Sequence, residues 1–145
     1  MKNILVSACL LGEPCRYDGK SKPCERVIAL KGTYNLIPIC PEVVGGLPTP
    51  RTPSEICGER VLMKDGRDVT ENYNRGAQKA LEIARENACT VAILKEKSPS
   101  CGSGLIHNGS FDGGLVEGDG ITTQLLKQNG IRVLGESEIT ENFAL

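Results

Sequence analysis

The sequence predicts an α/β fold: a three-layer sandwich with an open, mainly parallel sheet. Two observations carry this. The runs NILVSA (3–8), YNLIPI (34–39), TVAIL (90–94) and IRVL (131–134) have the length and near-continuous apolarity of strands covered on both faces. Segments with helical periodicity lie between them, and that alternation is the pattern of parallel strands joined by crossover helices. At 145 residues the chain is expected to form one domain, residues 1–145, around one core.

In order, the first strand runs over 3–8 and ends at Cys9. After the loop LLGEPCRYDGKSKP, the segment Glu25 to Lys31 sets Val27, Ile28 and Leu30 ahead of Gly32, which predicts a short helix with a glycine cap. The second strand, 34–39, ends at Cys40. The stretch 41–57 holds four prolines and the pair Gly45-Gly46, so neither a helix nor a central strand is expected to run through it. Lys64-Asp65-Gly66 between Arg60–Met63 and Arg67–Val69 signals a small hairpin rimming the site. Tyr73, Ala77, Ala80, Leu81, Ala84 and Ala88 recur at spacings of three and four and predict a helix over 70–87, capped by Asp68 with Glu71 or by Thr70. The third strand, 90–94, feeds KEKSPSCGSG. A helix over 120–129, with Ile121, Leu125 and Leu126 inward and Gly130 as its stop, precedes the fourth strand. This order of elements points to a Rossmann-like or flavodoxin-like arrangement.

Charge and composition exclude several classes. Lys+Arg 17 against Asp+Glu 18 leaves no general attraction for DNA or an anionic membrane. Aromatics are 3% with no Trp, so the core is built from small aliphatics. Seven cysteines, an odd number, argue for reduced thiols, metal ligands or reactive groups and for a cytoplasmic location. Val6-Ser7-Ala8-Cys9 has the look of a lipoprotein cleavage site, but the apolar run before it, Ile4 to Val6, is too short for an export signal.

Ligands of open parallel sheets sit at the carboxyl ends of the strands. Cys9, Cys40 and Cys101 all fall just past such ends, and three thiolates without a fourth partner leave one iron of a cubane cluster free of protein ligands. The run Ser98 to Gly104 offers hydroxyls and amides, including those of Gly102 and Ser103, for an anion nest beside it. Cys15, six residues after Cys9, is a further ligand or a redox partner. Cys24 and Cys57 stand in loop text without an assigned role, and Cys89 reads as a buried filler. No Cys-x-x-Cys occurs, which removes the signal for zinc ribbons, thioredoxin-like sites and ferredoxin runs. The single histidine, His107, reads as a loop surface residue. Glu42, two residues after Cys40, is a solvated loop acid or a general acid/base at the same mouth. Arg51 in PTPRTP clamps a substrate phosphate or carboxylate, or fixes its loop. Lys95 and Lys97 are equally open.

With SACLLGEPCRYDG, CPEVVGGLPTPRTPSEICGERV, GRDVTENYNRGA and AILKEKSPSCGSG all in order, the chain resembles the bacterial thiouracil desulfidase family, long a domain of unknown function, in its short form. The resemblance implies a Rossmann-like fold and a 4Fe–4S cluster bound by three cysteines. It implies non-redox transfer of sulfur from a small thiolated pyrimidine to the free iron, with an acid and serines nearby. Residue by residue it assigns Cys9, Cys40 and Cys101 as ligands, with Cys15 the alternative to Cys40, Glu42 as the acid, and Ser98 and Ser100 as the serines. Some longer relatives carry a further carboxyl-terminal domain that this chain lacks, so the expectation stops at a small substrate. Two rivals stand beside it: an iron–sulfur or persulfide carrier without substrate chemistry, and a cysteine-nucleophile hydrolase built on Cys101.

Overall fold

The computed structural model describes residues 1–145. In chain order it comprises β1 (Asn3–Ser7), α1 (Glu25–Ile28), β2 (Asn35–Ile39), α2 (Pro41–Val44), β3 (Ser54–Cys57), β4 (Arg60–Met63), α3 (Thr70–Glu86), β5 (Val91–Leu94), β6 (Leu105–His107), β7 (Leu115–Glu117), α4 (Ile121–Gln128) and β8 (Arg132–Gly135). The central sheet has four strands in the order β2-β1-β5-β8, all parallel. The expected α/β class and its four strands are therefore present.

The apolar runs are explained by burial on both faces. Ile4 and Val6 of β1 pack with Val27, Tyr34 and Ile93 on one side, while Leu5 packs with Ala80, Leu81, Ala92 and Leu126 on the other. No polar alternation is tolerated in such a strand. Helix α3 buries Tyr73, Ala77, Ala80, Leu81 and Ala84, the face its periodicity foretold. Its start is capped by Asp68, whose Oδ1 accepts from the Thr70 amide at 2.9 Å and from the Thr70 hydroxyl at 2.7 Å. Thr70 Oγ1 in turn accepts from the Val61 amide at 2.8 Å.

Four local expectations are corrected. First, a strand closes the proline-rich stretch: β3 pairs with β4 through Gly58, at φ 63, in the register Ser54↔Met63 to Cys57↔Arg60. The expected hairpin around Lys64-Asp65-Gly66 follows it, with the Met63 and Val69 amides donating to the Arg67 and Val61 carbonyls at 2.8 and 2.9 Å and Leu62 bridging Asp68. Second, the proline-rich stretch contains a helical turn, α2. Pro41 stands at its first position, where a missing amide costs nothing. Third, α4 buries Thr122, Thr123 and Leu126, leaving Ile121 and Leu125 half-buried, because the Thr123 hydroxyl donates to the Cys101 carbonyl at 2.9 Å. Fourth, a further hairpin, β6 with β7, follows the Cys101 loop.

Strand order also sets where the mouth lies. From β1 the chain moves outward to β2, then returns past β1 to β5. The loops leaving β1 and β5 thus diverge, and a crevice opens at their carboxyl ends.

Candidate functional site

A cavity of about 400 Å³ occupies that crevice. The loop after β1 brings Cys9 and Cys15 to it, the loop after β2 brings Cys40 and Glu42, and the loop after β5 brings Ser98, Ser100 and Cys101. Helix α4 holds the last of these loops: the amides of Ile121 and Thr122 at its start donate to the carbonyls of Pro99 and Ser100 at 2.8 and 2.9 Å.

The thiols are linked. Cys15 lies beside Cys9 and Cys40 in the cavity wall, and the Cys40 thiol lies 3.7 Å from the Cys15 carbonyl, to which it donates. In Cys15 the neighbouring Cys40 thiol lowers the pKa, but the Cys9 thiol, burial and neighbouring charge outweigh it and leave the thiol pushed up to about 11. Cys40 is raised, first by the neighbouring Cys15 thiol and then by burial. Burial pushes Cys101 up to about 12, against the lowering effect of the neighbouring Ser100 and Ser7 hydroxyls. Ser7 Oγ accepts from the Lys95 amide at 2.9 Å, so its single hydrogen is free for the Cys101 sulfur. A nucleophilic cysteine is partly exposed, whereas Cys101 is 4% exposed. That burial speaks against Cys101 as a hydrolase nucleophile.

No three His, Cys, Asp or Glu side chains are arranged to hold a single metal ion. Four sulfur donors around one cavity, with serine hydroxyls beside one of them, instead suit a polynuclear iron–sulfur cluster, whose corners draw ligands from several sides. The residues present fit such a group.

Beside the thiols runs a directed chain of hydroxyls. Ser98 Oγ accepts from the amides of Ser100 and Cys101, both at 3.1 Å, which leaves its own hydrogen for Ser100 Oγ at 3.0 Å. Ser100 Oγ then donates to Glu42 Oε2 at 3.1 Å. Ser100 also lies 3.5 Å from the Cys101 sulfur, so it stands at the junction of carboxylate and thiol.

Of the two roles open to Arg51, clamping a substrate anion or fixing its loop, the hydrogen bonds match the second. Its Nε donates to Glu42 Oε1 at 3.1 Å, one terminal nitrogen to the Pro48 carbonyl and Thr49 hydroxyl, and the other to the Cys15 carbonyl at 3.0 Å. Only 3% of its side chain is exposed. Arg51 thereby binds the Cys15 loop, the 48–51 loop and the acid into one unit. Gly102 and Ser103 do not line the cavity, and the Gly102 amide is already spent on the Ser98 carbonyl at 2.8 Å. Lys95 pairs with Glu136 at 3.0 Å.

Other wall residues escaped the sequence reading. Ser7 did leave a signal, as the polar residue inside an apolar strand run. Tyr73 fits the core periodicity of α3, yet its buried hydroxyl faces Glu42 and Ser54 without hydrogen-bond geometry to either. His107 is not a surface residue: it lines the cavity from β6, with Nδ1 buried and unpartnered. Its spacing from the other site residues carried no hint of this.

Three comparisons bear on the site. The chain matches the family model described as 2-thiouracil desulfurase over residues 4–138. The chain belongs to the 2-thiouracil desulfurase family. A curated relative, the uncharacterized protein YbbK of Bacillus subtilis (strain 168), is 44% identical over 148 residues, covering 95% of this chain and 98% of the relative. A solved structure, the [4Fe-4S]-dependent thiouracil desulfidase TudS, superposes with a TM-score of 0.91 at 48% identity, over 96% of this chain and 93% of that one. Desulfurases of this family cleave a carbon–sulfur bond, and the cavity of thiols, hydroxyls and carboxylate lies in the crevice where such a fold binds its ligand. No helix is long and apolar enough to cross a membrane.

Proposed function

We propose that this member of the 2-thiouracil desulfurase family removes sulfur from a small thiolated pyrimidine with the help of a 4Fe–4S cluster held by Cys9, Cys40 and Cys101. The observation that carries the reading is the convergence of sulfur donors and the Ser98–Ser100–Glu42 relay on one cavity. When bound, a cubane with three protein ligands supplies Lewis acidity toward the substrate's sulfur at its remaining iron.

The chain's own residues do the rest. Glu42 takes a proton from water attacking the carbon that bears sulfur, or returns one to the leaving group, at Oε2. Ser100 and Ser98 hold that oxygen in place and pass hydrogen along a fixed direction. Arg51 keeps the other oxygen, Oε1, occupied, so the acid presents a single working atom. The carbon–sulfur bond breaks, oxygen from water replaces sulfur on the ring, and sulfur leaves as sulfide, with no net change of oxidation state. Seven free cysteines support a cytoplasmic, reducing location, and we take residues 1–145 as one catalytic unit.

The test is anaerobic iron and sulfide content together with sulfide release from 2-thiouracil. Wild type and Cys15→Ser are expected to hold about four irons per chain, and Cys9→Ser, Cys40→Ser and Cys101→Ser to lose them. Glu42→Gln is expected to keep the cluster and lose roughly a hundredfold or more in turnover. Full turnover of Glu42→Gln with an intact cluster would remove the acid/base role, and loss of iron in Cys15→Ser but not Cys40→Ser would exchange those two ligands.

A further inference from the structure

The chain has only five aromatic side chains, Tyr 3 and Phe 2. Tyr34 and Phe143 meet edge to face in the core, with ring centroids 6.3 Å apart. The others, Tyr17, Tyr73 and Phe111, all line the one cavity. An aromatic-poor protein thus places most of its flat surface at a single site.

Phe111 is the most singular of them. It stands at the tip of the β6–β7 hairpin with φ 55, a left-handed backbone that glycine adopts freely and a bulky residue adopts only under constraint. The constraint is visible. Glu55 of β3, buried and 7% exposed, accepts from the amides of both Gly109 and Phe111 at Oε1, at 2.9 and 3.2 Å. The Cys57 thiol, two residues on, donates to the Gly109 carbonyl at 3.3 Å. Around Phe111 the tip is Asn108, Gly109, Ser110, Asp112 and Gly113, so the loop carries one large ring and little else. His107, at the root of the same hairpin, leaves Nδ1 buried and unpartnered on the cavity wall, and an unsatisfied polar atom there calls for a partner from a ligand. Strain held in place by a dedicated carboxylate is a mark of a functional loop.

We propose that Phe111 is a specificity-determining residue, its ring the face on which a flat pyrimidine-type heterocycle stacks, and that Glu55 is the positioning residue that holds it there. This rests on the desulfurase reading and deepens it by assigning recognition of the ring to the hairpin, apart from the thiols and the Glu42 relay. Stacking reads planarity and not substituents. The wall therefore selects an unsaturated base over a puckered one of the same polar edge.

Binding to the cluster-loaded enzyme, followed by calorimetry, tests this with uracil and with 5,6-dihydrouracil, which keeps the carbonyls and N–H groups but is not flat. Wild type is expected to prefer uracil. Phe111→Gly is expected to weaken uracil by roughly tenfold or more and to erase the preference. Its thermal stability should be equal to or above wild type, since glycine suits the left-handed backbone. Phe111→Trp should keep the preference and Phe111→Leu, apolar but without a π face, should lose it. Glu55→Ala should weaken uracil binding with kcat at saturation little changed, and Glu55→Gln, whose amide oxygen still accepts both N–H groups, should restore it. Uracil affinity within about twofold of wild type in both Phe111→Gly and Phe111→Leu, or a preserved preference in a destabilised protein, would make Phe111 a packing residue and overturn the proposal. In that case wild-type sulfide release from 2-thiouracil still supports the desulfurase reading; loaded wild-type enzyme that neither binds uracil nor releases sulfide overturns both.

Discussion

Arg51 shows how much of the site depends on one side chain that does no chemistry. It is almost wholly buried, and its guanidinium serves Glu42, the Cys15 carbonyl and the 48–49 turn at once. Removing it leaves a carboxylate without its charge partner inside the protein and two loops untied. Arg51→Met is therefore expected to cost about 3 kcal/mol or more in stability, read by denaturant unfolding, together with most of the turnover. Arg51→Lys should recover little, because a point charge on a flexible stem cannot serve the four acceptors of a planar fork. Wild-type stability in Arg51→Lys would show that charge alone suffices. At this scale the sequence was informative where a residue's role follows from its place on the chain. Cys9, Cys40 and Cys101 lie in the connections that leave β1, β2 and β5, and Glu42, Ser98 and Ser100 sit beside two of them. It was mute where the role is conferred by a distant partner. Nothing near His107 or Glu55 announces the cavity, and Arg51 read equally as a clamp or a loop tie because its acceptors lie in loops that only the fold brings together.

Among the elements, the contact of α2 with α3 decides where Cys40 and Glu42 stand. Helix α2 is one turn long, starts on Cys40 and contains Glu42, and at that length it has no stability of its own. What seats it is a backbone-to-backbone approach: a Cβ on Gly76 of α3 would collide with the Pro41 carbonyl, and one on Gly45 with the Asn72 carbonyl. The Asn72 and Arg75 side chains then donate to the Gly45 carbonyl at 3.0 and 2.9 Å. Gly76→Ala, normally favourable in a helix, is expected here to destabilise by about 1–3 kcal/mol and to cut turnover, because α2 must shift and carries the acid with it. A denaturant midpoint at or above wild type with full turnover would show that the two helices have slack. The long helices and sheet strands were legible because periodicity reports burial, and burial is what holds them. Short elements were not. In α2, β3 and the β6–β7 hairpin, a few residues adopt their form because neighbours demand it, and Pro or Gly text describes turns equally well.

For the molecule as a whole, the sheet and the site divide the labour. The core clusters are built on β1, β5 and the helices over both faces. Cys89, the cysteine at the amino-terminal end of β5, belongs wholly to that core. The thiols of the site stand on loops at the carboxyl ends, with Cys101 and Cys9 buried at the edge of the two clusters, where three separate connections meet and where strand order leaves a gap. A group bridging Cys9, Cys40 and Cys101 would fasten those loops to one another without being needed to fold the sheet beneath them. Binding that favours the folded state adds stability by mass action, and its effect should be largest where the ligands are. Removing the cluster with a chelator under oxidising conditions is therefore expected to lower the melting temperature while leaving the far-ultraviolet circular dichroism intact. Hydrogen exchange should locate the difference: faster amide exchange in residues 8–24, 40–53 and 95–104 of the emptied protein, with β1 and β5 as protected as before. If β1 and β5 lose protection to the same degree as the loops, the metal is part of the folding core, and the separation of a self-sufficient sheet from a cluster-fastened mouth is wrong.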